Sequence, residues 1–136
     1  METSNRLCVV SAKKGQVMVK ISTGKKLALG ADFRLNDERG AEKETWKINV
    51  NDDAFKMYTI KTSPQLLNKN KLTWQILCCA IDPKIFGGEI ILEIYQNNQP
   101  CHLTSPAKWL PNNVAPCAVN IPTRIAGTLS FILKPD

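Results

Sequence analysis

Two apolar runs constrain this chain more than any other feature: LTWQILCCAI at 72–81 and EIILEIY at 89–95, joined by DPKIFGG. In the first run Leu72, Trp74, Ile76, Cys78 and Ala80 share one face. The other face, Thr73, Gln75, Leu77, Cys79 and Ile81, starts polar and turns apolar. In the second run Ile90, Leu92 and Ile94 oppose Glu89, Ile91, Glu93 and Tyr95. A period of two with β-branched and aromatic enrichment argues for strands. Asp82-Pro83 and Gly87-Gly88 punctuate the connection as turn formers do. The reading is a hairpin at the middle of a sheet, because a strand apolar on both faces is covered on both.

The same alternation recurs along the chain. Leu7 to Ala12 opens the sheet, and Val17, Val19 and Ile21 point inward from the next strand. Thr23-Gly24-Lys25 reads as a hairpin turn. From Lys26 to Leu35 the residues Leu27, Leu29, Ala31, Phe33 and Leu35 face the core, while Lys26, Ala28, Gly30, Asp32 and Arg34 face solvent. The polar window 36–44 is a loop, with a single helical turn as its alternative. Trp46, Ile48 and Val50 form another strand. Asn51-Asp52-Asp53 then turns the chain into a second hairpin, continued either by Phe55, Met57 and Thr59 or by Tyr58 and Ile60. Three prolines between Thr104 and Pro116 exclude a central strand there. Ala118 to Ile121 and Thr128 to Lys134 close the series, with Leu129, Phe131 and Leu133 on one face. Short strands at this spacing predict an all-β fold, an antiparallel β-sandwich of about eight or nine strands of jelly-roll or Greek-key type. The immunoglobulin Cys…Trp…Cys spacing is absent.

At 136 residues the chain is sized for a single domain spanning 1–136, large enough for a core without metal or disulfide. Net charge is +6, but Lys outnumbers Arg fourteen to four and no five like charges run together. Base reading and bidentate phosphate contacts favour Arg, so the lysines read as solvated strand faces and nucleic acid is not the expected partner. Five cysteines, Cys8, Cys78, Cys79, Cys101 and Cys117, show no metal-ligand spacing. Cys78 and Cys79, adjacent on a strand, point to opposite faces. An odd count without a framework fits free buried thiols in a reducing compartment; in a secreted chain Cys101 and Cys117 could pair, but nothing in the sequence demands it. No apolar leader core or 18-residue apolar segment is seen, so the expected location is cytoplasmic, with no membrane span.

Catalytic groups are not legible. The lone His102 neighbours Cys101 on an extended run, where adjacent side chains diverge, and no third group orients a Cys117–His102 pair. Asp37-Glu38 and Asp52-Asp53 are turn residues outside any calcium-loop pattern. No glycine-rich phosphate loop opens a helix. The expectation is a non-enzyme with no catalytic residues, metal site or cofactor.

Two amide-rich tips beside aromatics stand out: Tyr95-Gln96-Asn97-Asn98-Gln99 and Trp109-Leu110-Pro111-Asn112-Asn113. Asn donates and accepts as sugar hydroxyls require, and an aromatic face stacks on a sugar ring. Plain turn formation accounts for the same residues. Trp109, Pro111-Asn112-Asn113-Val114 and Ser130-Phe131 together resemble the calcium-dependent galactose lectins of bacteria, which are small β-sandwiches. The aspartate such a site needs for its metal has no counterpart between Val114 and Thr128, so no residue role is carried over.

The functional expectation is a non-catalytic binding module, with a glycan as the ligand and Tyr95, Asn97, Asn98, Trp109, Asn112 and Asn113 as the ligand-binding residues. A self-associating assembly protein, using a protein partner or a second copy, is the first alternative, and an electrostatic nucleic-acid binder the second.

Overall fold

A computed structural model describes residues 6–82, 89–105, 107–109, 114, 116–117 and 123–134. Its strands are β1 (Arg6–Val10), β2 (Val17–Thr23), β3 (Leu27–Asn36), β4 (Glu42–Asn51), β5 (Phe55–Thr59) and β6 (Lys71–Ala80). The series continues through β7 (Ile90–Gln96), β8 (Gln99–Pro100), β9 (His102–Leu103), β10 (Ala107–Trp109) and β11 (Thr123–Leu133). One sheet is ordered β4-β3-β6-β11-β1-β9 and the other β10-β7-β2-β5, with β8 also paired to β7. Pairing is antiparallel except for β1 against β11. The only helical segment among the described residues is a single 3-10 turn, Pro64–Leu66. No described helix is long and apolar enough to cross a membrane.

The all-β sandwich expected from alternation is the fold observed. The face assignments hold on β2, β3, β4, β6 and β7, whose inward residues form one buried cluster between the sheets. Strand number exceeds the eight or nine expected, because β8, β9 and β10 are only two or three residues long. The expected strand at 118–121 lies outside the described residues. Beyond it, β11 begins at Thr123, five residues before the expected Thr128.

Connectivity departs from expectation. β6 and β7 are each mid-sheet, but in opposite sheets, so the anticipated central hairpin is not a hairpin. The turns after Thr23 and Asn51 likewise carry the chain across the sandwich. These two corners satisfy one another. The Lys26 N–H donates to Asp52 Oδ1 at 2.9 Å. Asp53 N–H reaches the Gly24 carbonyl at 3.0 Å, and Thr23 N–H the Ala54 carbonyl at 3.0 Å. Lys26, Asp52 and Asp53 all adopt positive φ. Turn residues mark a reversal in either case; which sheet receives the next strand depends on the distant corner.

The true hairpins are elsewhere. Of the polar window 36–44 expected as a loop, only 37–41 is the turn joining β3 to β4, the rest being strand. There Asp37 Oδ1 accepts the N–H groups of Arg39 and Ala41 at 2.9 Å each. The tip joining β7 to β8 places Asn97 and Asn98 at φ 52° and 61°, as a two-residue hairpin turn requires.

The cysteines also depart from expectation. Cys79 is bonded to Cys117, so the five free thiols expected become three. Cys79 stands on the outward face of β6, whose end is bridged in parallel by Pro116 at Ala80. Cys117 N–H donates to the Ala80 carbonyl at 2.9 Å. That pairing is a long-range contact that spacing alone does not reveal.

Where β4 faces β5, the Glu44 carboxylate ties three segments together. It accepts from Tyr58 Oη at 2.8 Å, Lys61 N–H at 3.1 Å, and both the N–H and hydroxyl of Thr62 at 2.7 Å. Burial pushes the Glu44 pKa upward, but these donors outweigh it and hold the carboxyl below its ordinary 4.5. A depressed folded pKa stabilises the fold above the unfolded value, and that contribution is lost as pH falls through the folded value. Glu44→Ala is expected to cost about 2 kcal/mol at neutral pH, the scale of hydrogen bonds to a charged group. Urea unfolding of both proteins should show that gap shrinking as the buffer is acidified below pH 4.5.

Candidate ligand-binding face

Trp109 and the Asn97–Asn98 turn stand at opposite ends of β7. Trp109 pairs with Ile90 at the start of β7, whereas Asn97 and Asn98 follow Gln96 at its end. Six strand residues separate them, about 20 Å. The Trp109 ring packs inward, with its centroid 6.1 Å from that of Trp74 and 5.6 Å from the Arg6 guanidinium carbon. Asn97 and Asn98 are exposed at their turn. Tyr95 points outward from β7, its hydroxyl donating to Glu93 Oε2 at 3.2 Å. Asn112 and Asn113 lie outside the described residues.

A cavity lies instead on the outer face of the six-stranded sheet. It is an open depression of about 690 Å³ over β4, β3 and β6. Strand register builds it in two rows. One runs Lys47, Asp32, Gln75 and Ala126; the next runs Thr45, Arg34, Thr73 and Thr128. These side chains point outward because their strand neighbours Ala31, Phe33, Trp46, Ile48, Leu72, Trp74 and Ile76 are buried in the core. Beside the depression, Gly30 precedes Asp32 on the outward face of β3, and Ala126 ends its row. A Cβ at Gly30 would meet Asn49 Oδ1 at 3.1 Å.

Charges on this face balance. Lys47 Nζ lies 3.8 Å from Asp32 Oδ1, and Arg34 Nε lies 3.3 Å from Glu42 Oε1. Both pairs are well exposed, so they add little stability and are free to re-pair with a ligand. Asp32 and Glu42 accept, Lys47 and Arg34 donate, and Gln75, Thr45 and Thr73 do both.

The sequence held part of this signal. Asp32 and Arg34 were readable as the solvent face of β3, and Thr73 and Gln75 as the polar start of β6. Their convergence depends on β3 lying between β4 and β6, which the local pattern does not encode. Among the described residues no three His, Cys, Asp or Glu side chains are grouped to hold a metal ion. His102 is exposed at the edge strand β9, pairing with Val9.

Comparison with family models, with curated proteins and with solved structures finds no match to the chain.

Proposed function

We propose that the protein is a non-catalytic binding module, and that its ligand is a glycan held on the outer face of β3, β4 and β6. The observation that carries this reading is the 690 Å³ depression lined by outward polar side chains of both signs. Its size falls within the range of small-ligand sites. Interleaved donors and acceptors suit a neutral polyhydroxyl ligand, whose hydroxyls each give and take a hydrogen bond. Two cations against two carboxylates supply no net positive field, so this face offers a nucleic-acid backbone little attraction. The Cys79–Cys117 bond supports an oxidising compartment over the cytoplasm expected from the sequence.

A glycan array followed by calorimetry on the best hits tests the proposal. Asp32→Ala and Gln75→Ala are each expected to weaken binding about tenfold or more, the scale of a hydrogen bond involving a charged or well-placed polar group. Asn97→Ala should leave affinity within about twofold, since loss of a solvent-facing turn residue removes no contact. An array without hits rejects the reading. Binding lost in Asn97→Ala but retained in Asp32→Ala would return the site to the loop tip.

A further inference from the structure

The opposite outer face, on the sheet of β5, β2 and β7, has a different chemistry. Its rows run Phe55, Ser22, Ile91; then Met57, Lys20, Glu93; then Thr59, Met18, Tyr95. Phe55 is 57% exposed and Met57 39%, large apolar groups on an edge strand. At the centre, Lys20 Nζ sits 4.0 Å from Glu93 Oε1, 4.4 Å from the Phe55 ring centroid and 5.7 Å from that of Tyr95. One column beyond β7 is a hollow of about 250 Å³, walled by Ile91, Glu93, Pro100, Leu103, Ala107 and Lys108. It lies between the stretches of β7 that pair with β10 and with β8.

We propose that this face is a dimer interface and that its occupant is a second copy of the chain. Four columns succeed one another across the face: β5, β2, β7 and the hollow. A two-fold axis lying in the interface, parallel to the strands and midway between β2 and β7, exchanges the first column with the fourth and the second with the third. Lys20 of each copy then opposes Glu93 of the other, and Met57 of each enters the other's hollow. An unbranched thioether side chain adapts to such a space. The surface is therefore complementary to itself in both charge and shape, as an isologous contact requires. Columns about 4.8 Å apart and strands of about 20 Å give a footprint near 400 Å² per copy. With side-chain relief the pair buries on the order of 1,000 Å², the lower limit of specific interfaces. The dimer is accordingly reversible and depends on concentration. It is independent of the ligand reading, because the polar depression lies on the other sheet.

Sedimentation velocity across a concentration series tests this. The intact chain should pass from monomer to dimer. Lys20→Glu and Glu93→Lys, tested singly, place like charges at both central contacts and should each weaken association at least tenfold, within the range of interfacial charge couplings. Mixing the two variants restores opposite charges at both contacts of the mixed dimer, and affinity should return to within about threefold of the parent. Met57→Lys, on an exposed strand where folding tolerates it, should abolish the dimer, and circular dichroism verifies the fold of each variant. A parent that stays monomeric to millimolar concentration overturns the proposal. So does a mixture that associates no better than either variant alone, or a Met57→Lys dimer of unchanged affinity.

Discussion

Gly127→Ala is expected to destabilise the fold by about 3 kcal/mol, at the upper end of ordinary overpacking. Gly127 lies on β11 directly opposite Trp74 of β6, and its missing side chain leaves the slot that the indole occupies. A Cβ there would stand 2.6, 2.8 and 2.9 Å from three atoms of the Trp74 ring. The ring has little room to withdraw. It is 3% exposed, with Trp109 edge-on at 6.1 Å and the Arg6 guanidinium carbon 5.8 Å from its centroid. Chemical denaturation measures the cost, and a thermal midpoint roughly 10 °C lower should accompany it. Adding Trp74→Phe removes part of the obstructing ring, so the double variant should lose less than the two single losses summed. A Gly127→Ala protein within about 0.5 kcal/mol of the parent would show that the strands separate freely to admit the methyl group.

Gly127 also marks where local reading stopped short. A glycine inside a strand signals a close approach by another group. The alternation read in the sequence starts at Thr128, whereas β11 runs from Thr123 through Gly127. The inner faces of the long strands were legible because burial imposes a period of two, whatever the pairing. The partition of strands between two sheets was not, since Val19 and Leu29 are equally buried and alternate identically in opposite sheets. The β2–β3 and β4–β5 corners satisfy each other's backbone, so neither can be understood from its own residues.

β5 shows a second limit. Two phases are open there in the sequence, and one of them would turn Phe55 and Met57 inward. The structure buries Ile60 instead, and Tyr58 stacks on Trp46 with ring centroids 3.9 Å apart. Phe55 and Met57 are thereby left facing outward. Departures of this kind are where a surface serves something other than its own fold. The polar depression and the apolar face lie on opposite sides of the sandwich. A dimer formed through the second would present two copies of the first, pointing away from each other. Such an arrangement raises avidity for a multivalent ligand without adding a contact.

Loss of the Cys79–Cys117 bond is expected to cost about 4 kcal/mol, the largest single effect proposed. The two residues are 38 apart in sequence, and closing a loop of that length removes conformational entropy from the unfolded chain. The bond joins the outward face of β6, at the centre of its sheet, to a segment that follows the short edge strand β10. Cys79→Ser with Cys117→Ser should therefore unfold at lower urea than the parent, and the parent with reductant should match the double variant. Alkylation of the unfolded, unreduced chain should modify three of its five cysteines. In the native protein Cys101 should react first. It is half-buried where Cys8 and Cys78 are buried, and a hydrogen bond from Cys8 leads the effects that lower its pKa against the opposing pull of burial. Five modified cysteines before reduction would mean that the bond does not form, and would restore the reducing compartment inferred from the odd count. Three would favour an oxidising one, because a cytosolic thiol pool keeps exposed pairs open.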